Sequence, residues 1–120
     1  MTDEPRYATY EAGDIVWVDF DPSVGHEQAG RRPALVVSGG DYNNRSSLII
    51  VCPVTRNIDP WPFKVQLPQG CQIEGAILVD QIKSIDRVRR VVRKGGRVDD
   101  ETLQAVRDRL VAVVGEPDDK

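Results

Sequence analysis

From residue 13 to residue 97 the chain is a succession of short apolar runs separated by clusters of glycine, proline, asparagine and aspartate, with a turn signal about every eight to twelve residues. That pattern reads as many short strands folded into a small, strongly curved barrel. Gly13-Asp14 opens the first strand, in which Ile15, Trp17 and Val18 to Phe20 mix alternation with a nearly continuous apolar run before Pro22 ends it. A second strand covers residues 33 to 38 and gives way to the turn formers Gly39-Gly40-Asp41-Tyr42-Asn43-Asn44. Ser47 to Thr55 is the most apolar run and is expected to be central. Pro53 cannot donate to a ladder, so a bulge or the sheet's edge is expected at that point. Phe63 to Leu67 alternates as a half-solvated strand before the Pro68-Gln69-Gly70 turn, Gly75 to Val79 forms another, and a basic segment holding Val88, Val91 and Val92 forms the last, closed by Gly95-Gly96.

Past residue 98 the period changes. Asp99 or Asp100 caps a helix in which Leu103, Val106, Leu110 and Val113-Val114 recur at helical spacing, with Glu101, Asp108 and arginines on the other face. The expected fold is mainly β with one C-terminal helix packed on the sheet. The 120 residues, 40% of them hydrophobic, suit one domain that buries a core without disulfide or metal staples. Residues 1–10 are expected to form a polar leader and residues 115–120 a fraying tail.

Composition removes several classes of function. No window approaches the roughly eighteen consecutive apolar residues of a membrane span, and the acidic N-terminus lacks the apolar core of a signal peptide, so a cytoplasmic protein with no membrane partner is expected. Cys52 lies in an apolar run and Cys71 in a turn; they are too few for a disulfide framework, lack zinc-ligand spacing, and are read as reduced. One histidine and no Cys-x-x-Cys leave a transition metal almost without ligands, so chemistry with neither metal nor cofactor is expected. A net charge of −3 and a pI near 5.1 speak against nonspecific nucleic-acid binding. The average hides an asymmetry: acids dominate before residue 31, whereas Lys83, Arg87, Arg89, Arg90, Arg93, Lys94 and Arg97 oppose only Asp86 between residues 83 and 97. Such a block can track phosphates, dock an acidic partner, or form a solvated strand face.

The stretch Gly25-His26-Glu27-Gln28-Ala29-Gly30-Arg31-Arg32-Pro33 gathers a histidine, a carboxylate, an amide and two guanidiniums between two strand-forming runs. No packing need explains that mixture, and a loop presented by a rigid sheet is where binding and catalytic groups usually sit.

Five segments occur in order: residues 13–22, the Gly25-x-Glu27-Gln28-x-Gly30-x-Arg32-Pro33 loop, Pro53-Val54-Thr55, Trp61-Pro62-Phe63, and Asp80-Gln81-Ile82-Lys83-Ser84-Ile85-Asp86. Together they resemble the MazF/PemK family of toxin endoribonucleases, the mRNA interferases of bacterial toxin–antitoxin modules, and most closely its MazF branch. The resemblance runs from about residue 11 to residue 114. It implies an SH3-like barrel with a C-terminal helix, a homodimer held inactive by an acidic MazE-like antitoxin, and metal-independent cutting of single-stranded RNA at a short sequence.

Such cutting uses the ribose 2′-hydroxyl as nucleophile and leaves a 2′,3′-cyclic phosphate and a 5′-hydroxyl. Arg32, with fixed donors and a permanent charge, suits a clamp on the phosphate in the transition state, or else braces the loop. The resemblance pairs it with Thr55, whose hydroxyl can face the same phosphate or serve as an ordinary strand residue. Glu27 and His26 are the nearest titratable groups and the candidates for the base. Asp80 matches the base of the Kid/PemK branch, but Leu78 stands where that branch has an arginine, which leaves that acid–base pair incomplete. Gln28, Arg31, Arg56, Trp61, Asp80, Gln81 and Lys83 are the candidates for substrate contact. Glu27 and Gln28 can read base edges or cap a turn, Trp61 and Tyr42 can stack on unpaired bases or, for Trp61, cover the core, Trp17 reads as a core residue, and Asp80 can cap a turn. Two other functions share this barrel shape: a CcdB-like toxin that binds gyrase through its C-terminal helix without cutting RNA, and a docking module without catalysis.

Overall fold

Strand β1 (Asp14–Asp19) runs antiparallel to β2 (Arg31–Val36) on one edge and to β7 (Val91–Arg97) on the other. The computed structural model describes residues 9–20 and 30–115. Between β2 and β7 come a short helix α1 (Gly40–Arg45), β3 (Leu48–Thr55), β4 (Lys64–Gln66), β5 (Ala76–Leu78), a 3₁₀ turn (Val79–Gln81) and β6 (Lys83–Asp86); α2 (Asp100–Val114) follows β7. The strands form one seven-stranded antiparallel sheet in the order β4-β5-β3-β2-β1-β7, with β6 also on β3. The fold is mainly β with a C-terminal helix, consistent with an SH3-like barrel, although the ladder path is open.

Both faces of this sheet are apolar, because residues one apart on a strand point opposite ways. Ile15, Leu35, Cys52, Val54, Val65 and Ile77 face α2 and pack with Leu103 and Val106. Val16, Val18, Ala34, Val36, Ile49 and Val51 face the other way and pack with Tyr10, Phe20, Ile85 and Val91. The alternation that looked mixed in β1 and continuous in β3 reflects burial on two sides.

β3 changes neighbours along its length. β6 pairs with Leu48 to Val51, β5 pairs with Val54 and Thr55, and Pro53 falls in the gap between them. The irregularity expected at Pro53 is a change of partner.

Several expectations are corrected. β2 begins at Arg31, so Arg31 and Arg32 are strand residues paired with Asp19 and Val18, not loop residues. The turn formers after residue 39 build α1, because the buried Asn43 supplies what a short helix lacks: its amide donates to the Tyr10 and Ser38 carbonyls at 2.9 Å each, and its oxygen accepts from the Ser38 hydroxyl. Residues 83–86 form a strand where none was assigned. Gly95 and Gly96 lie inside β7 and do not close it. There β7 slips register against β1, and a Cβ on Gly95 would sit 3.0 Å from Trp17 Nε1, so the glycine lets the indole lie against the strand. Asp99 is the N-cap of α2, accepting from Thr102 N at 3.0 Å, whereas Val113 and Val114 are exposed. The leader to residue 8, the His26-Glu27-Gln28 segment and the tail from residue 116 lie outside the described residues.

Replacing Asn43 with alanine strands the Tyr10 and Ser38 carbonyls in the interior, and urea unfolding should show a loss of about 1–3 kcal/mol. An unchanged midpoint would show that the network contributes nothing.

Two carboxylates predict a pH dependence. Main-chain N–H bonds from Arg89 and then Val88 hold Asp86 below the usual carboxylate range, and Thr102, through its side chain and then its main chain, does the same for Asp99. Groups lowered in the folded state stabilise it above their unfolded pKa of about 3.9, and that contribution disappears as pH falls through the folded value. Thermal melts of the wild type and an Asp86→Ala, Asp99→Ala double variant should therefore differ at pH 7 and converge on acidification; a gap that widens in acid refutes the assignment.

Candidate nucleic-acid cleft

The β2–β3 ladder stops at the Ala34–Pro53 pair, and Pro33 and Pro53, on either side of the break, have no amide hydrogen with which to extend it. Where the two strand ends leave the ladder, a cleft of about 1590 Å³ is lined by Arg31, Arg32 and Pro33 of β2, Val54 and Thr55 of β3, and Arg56, Asn57 and Ile58 just beyond. The segment from Gln66 to Gly75, joining β4 to β5, lines it as well, and Trp17 reaches it from β1.

Arg32 and Thr55 therefore share one cavity. Arg32, two residues before Ala34, and Thr55, two residues after Pro53, lie just past the last pair of that ladder. Thr55 is 8% exposed, and its hydroxyl oxygen accepts from Asn57 N at 3.1 Å, which fixes the side chain while its O–H can still donate. Its carbonyl lies so close to Gly75 (φ +133°) that a Cβ there would run into it. Glycine alone lets β5 press against Thr55.

Arg31 and Arg56 are exposed and Arg32 is half-buried; among the described residues that line the cleft, these three guanidiniums are accompanied by one carboxylate, Glu74. His26, Glu27 and Gln28 lie outside the described residues. Gly30, at φ +74°, lines the cleft, and its carbonyl accepts from Phe20 N at 2.9 Å.

The structure does not bring every candidate here. Trp61, Asp80, Gln81 and Lys83 do not line the cleft. The 3₁₀ turn carries the chain from β5, beside Thr55, toward β6, beside the start of β3, and so takes residues 79–83 away from it. Trp61 Nε1 donates to Asp80 Oδ2 at 3.0 Å, and its ring meets Phe63 edge-on at 5.7 Å. The Lys83 ammonium lies 5.4 Å from the Phe20 ring centre. Gln81 is half-buried, and its amide oxygen has no hydrogen-bond partner among the described residues. Tyr42 sits on α1, outside the lining.

Trp17 is the contributor that sequence reading assigned to the core. It follows Ile15 on the face toward α2 but extends past the apolar cluster, half-buried, with the Arg93 guanidinium 5.0 Å from its ring centre. Its pairing with Pro33, next to the arginines, was the available signal. Side chains of the basic block make contacts within the chain and do not line this cleft. Arg87 Nε donates to Ser46 O at 3.2 Å, Lys94 covers Tyr10 at 5.3 Å, and Arg97 pairs with Asp14 at 2.7 Å and donates to Ala12 O at 3.1 Å.

Residues 11–114 match the sequence profile of a family described as the PemK-like, MazF-like toxin of type II toxin-antitoxin systems. The chain belongs to this family. It is 41% identical over 105 residues to the endoribonuclease toxin MazF of Escherichia coli K12, covering 88% of this chain and 94% of that protein. Endoribonuclease PemK of Escherichia coli is 33% identical over 113 residues, 91% of this chain and 85% of the relative. The crystal structure of MazF from Deinococcus radiodurans superposes with a TM-score of 0.82 at 37% identity, covering 90% of this chain and 98% of that one. A MazE–MazF complex from the same organism gives 0.78 at 37% identity, with 91% and 98% covered.

The cysteines of this PemK/MazF-like chain offer a probe of the cleft. Burial, with a smaller contribution from the Asp80 charge, pushes the Cys52 thiol up to about 12, whereas Cys71 lines the cavity. Iodoacetamide at neutral pH should label Cys71 in the folded protein and reach Cys52 only after unfolding. Peptide mapping decides this, and native labelling of Cys52 would contradict its placement.

Proposed function

We propose that this chain, an endoribonuclease toxin of the type II toxin–antitoxin class, cuts single-stranded RNA at a short sequence in the cytoplasm, as a homodimer and without metal or cofactor. The observation that carries the reading is the placing of Arg32 and Thr55 in one cleft with Arg31 and Arg56. The 2′-oxygen attacks the adjacent phosphorus, the bond to the 5′-oxygen breaks, the departing 5′-oxygen takes a proton from water, and a 2′,3′-cyclic phosphate and a 5′-hydroxyl result. Arg32 stabilises the charge gathered on the phosphate, and the Thr55 hydroxyl donates to the same group. The proton from the 2′-hydroxyl goes to Glu27 or His26, three and four residues before Gly30 in the sequence, and Gly30 itself borders the cleft. Gln28, Arg31 and Arg56 hold the substrate.

A MazE-like antitoxin with an acidic segment is the proposed partner, and the cationic cleft offers such a segment the same guanidiniums as RNA. The described relatives include MazE–MazF complexes. The gyrase-binding alternative is not favoured: the family match spans residues 11–114.

Purified protein should cut a long single-stranded RNA in EDTA, leave cyclic phosphate ends, and fail on RNA carrying a 2′-deoxy nucleotide at the cleaved position. Arg32→Ala should lower the rate by about two to three orders of magnitude with the fold intact. Thr55→Ala should also slow it, and Thr55→Ser should retain more. Cleavage that requires a metal, or a full rate in Thr55→Ala, would overturn the scheme.

A further inference from the structure

The two sides of the cleft differ in chemistry. Residues 31, 32 and 56 bring guanidiniums, whereas the ten residues from Gln66 to Gly75 contain no lysine or arginine and present exposed amides at Gln66, Gln69 and Gln72. The side chains of these three glutamines have no hydrogen-bond partner among the described residues, so their donors and acceptors are available to a ligand. Each amide offers two donors and two lone pairs, the set that matches the edge of an unpaired base. A guanidinium lacks acceptors and matches a phosphate instead. Glu74, on the amide side, repels a phosphate and so favours a strand whose backbone follows the arginines and whose bases face the glutamines.

The segment is also stiff enough to read. Leu67 N donates to Gly75 O at 2.9 Å and closes its base, and Cys71 N donates to Pro68 O at 3.2 Å across a turn with Gly70 at φ +87°. Gln69 occupies the first central position of that turn. Gln72 reaches toward β7, its amide oxygen 3.5 Å from where a Cβ of Gly96 would stand. The base of the segment abuts Thr55: Thr55 pairs with Ala76, and Ala76 pairs with Gln66. Gln66 thus stands two strand spacings, about 10 Å, from Thr55 on the same face, with only the methyl of Ala76 between them. Gln69 and Gln72 lie farther out.

From this division we infer that the β4–β5 connection is the base-reading wall of the cleft, with Gln66, Gln69 and Gln72 setting which bases flank the cut. The inference rests on the RNA cleavage proposed above and adds to it the residues that choose the sequence.

The test uses a pool of random single-stranded RNA, with 5′-hydroxyl ends sequenced after brief digestion. Gln66→Ala, Gln69→Ala and Gln72→Ala should each flatten the base preference at a different position beside the cut, by roughly tenfold in the ratio of best to next-best base. Gln72→Glu, which leaves acceptors only, should move the preference toward bases that present donors. Arg56→Ala should instead weaken cutting evenly across sequences and reduce its salt dependence. A triple alanine variant that cuts with the wild-type base profile would overturn the inference while leaving the nuclease reading intact. A wild-type protein that leaves the pool uncut would remove the nuclease reading itself.

Discussion

β3 cannot keep one set of neighbours along its length, and the cleft exists because of that. Pro53 removes a donor at the point where β6 has ended and β5 has not begun, and the last β2 pairing falls on the same residue. A regular ladder continued by two residues would cross Arg32 with Thr55 and close the cavity with backbone hydrogen bonds. Ending it at Pro53 leaves Arg32 paired with Val18 on one side and Thr55 paired with Ala76 on the other, so each is held by the sheet behind it. Thr55 gains a replacement neighbour in β5, which the bare Gly75 brings into contact with its carbonyl. The rigidity a reacting group requires is thus kept on one side while the other opens to a ligand.

Positive charge in this acidic chain is allotted by position. Most of the basic stretch from residue 83 to residue 97 is held within the protomer, stacked on Phe20, Trp17 and Tyr10 or tied to Asp14, Ala12 and Ser46. The cleft draws its arginines from β2 and the end of β3. A strongly basic exterior would bind structured and unstructured RNA alike through phosphate contacts that carry no sequence information. Gathering three guanidiniums in a cavity with amides on its far side suits a ligand that enters as a single strand.

Much of this was legible in the residues, and the failures share a cause. The strands, the terminal helix and its Asp99 cap followed from periodicity, since local pattern governs them. The grouping of Arg32 with Thr55 came from family resemblance; spacing alone could not bring residues 32 and 55 together, because their meeting depends on sheet register. α1 was missed because Asn43, typed as a turn former, satisfies its polar atoms through Tyr10, 33 residues earlier. Gly95-Gly96 looked like a terminus because the indole that needs bare backbone lies on another strand. The Trp61–Asp80 hydrogen bond, outside the cleft lining, joins residues 19 apart, which spacing alone does not show.

The three cleft arginines are not equivalent in burial, and the proposed scheme gives them different parts. Arg31 and Arg56 are exposed, so water and salt screen their attraction to a phosphate; the part that suits them is binding that is nearly the same for ground and transition states. Arg32 is half-buried, so in the proposed scheme its field acts through a less polar medium, where an added fraction of negative charge on the phosphorane oxygens changes its energy more. Thr55, more buried still and fixed by Asn57 N, reorganises little as that charge develops. In the proposed scheme the two least exposed polar groups of the cleft, Arg32 and Thr55, are therefore also the pair assigned to the transition state.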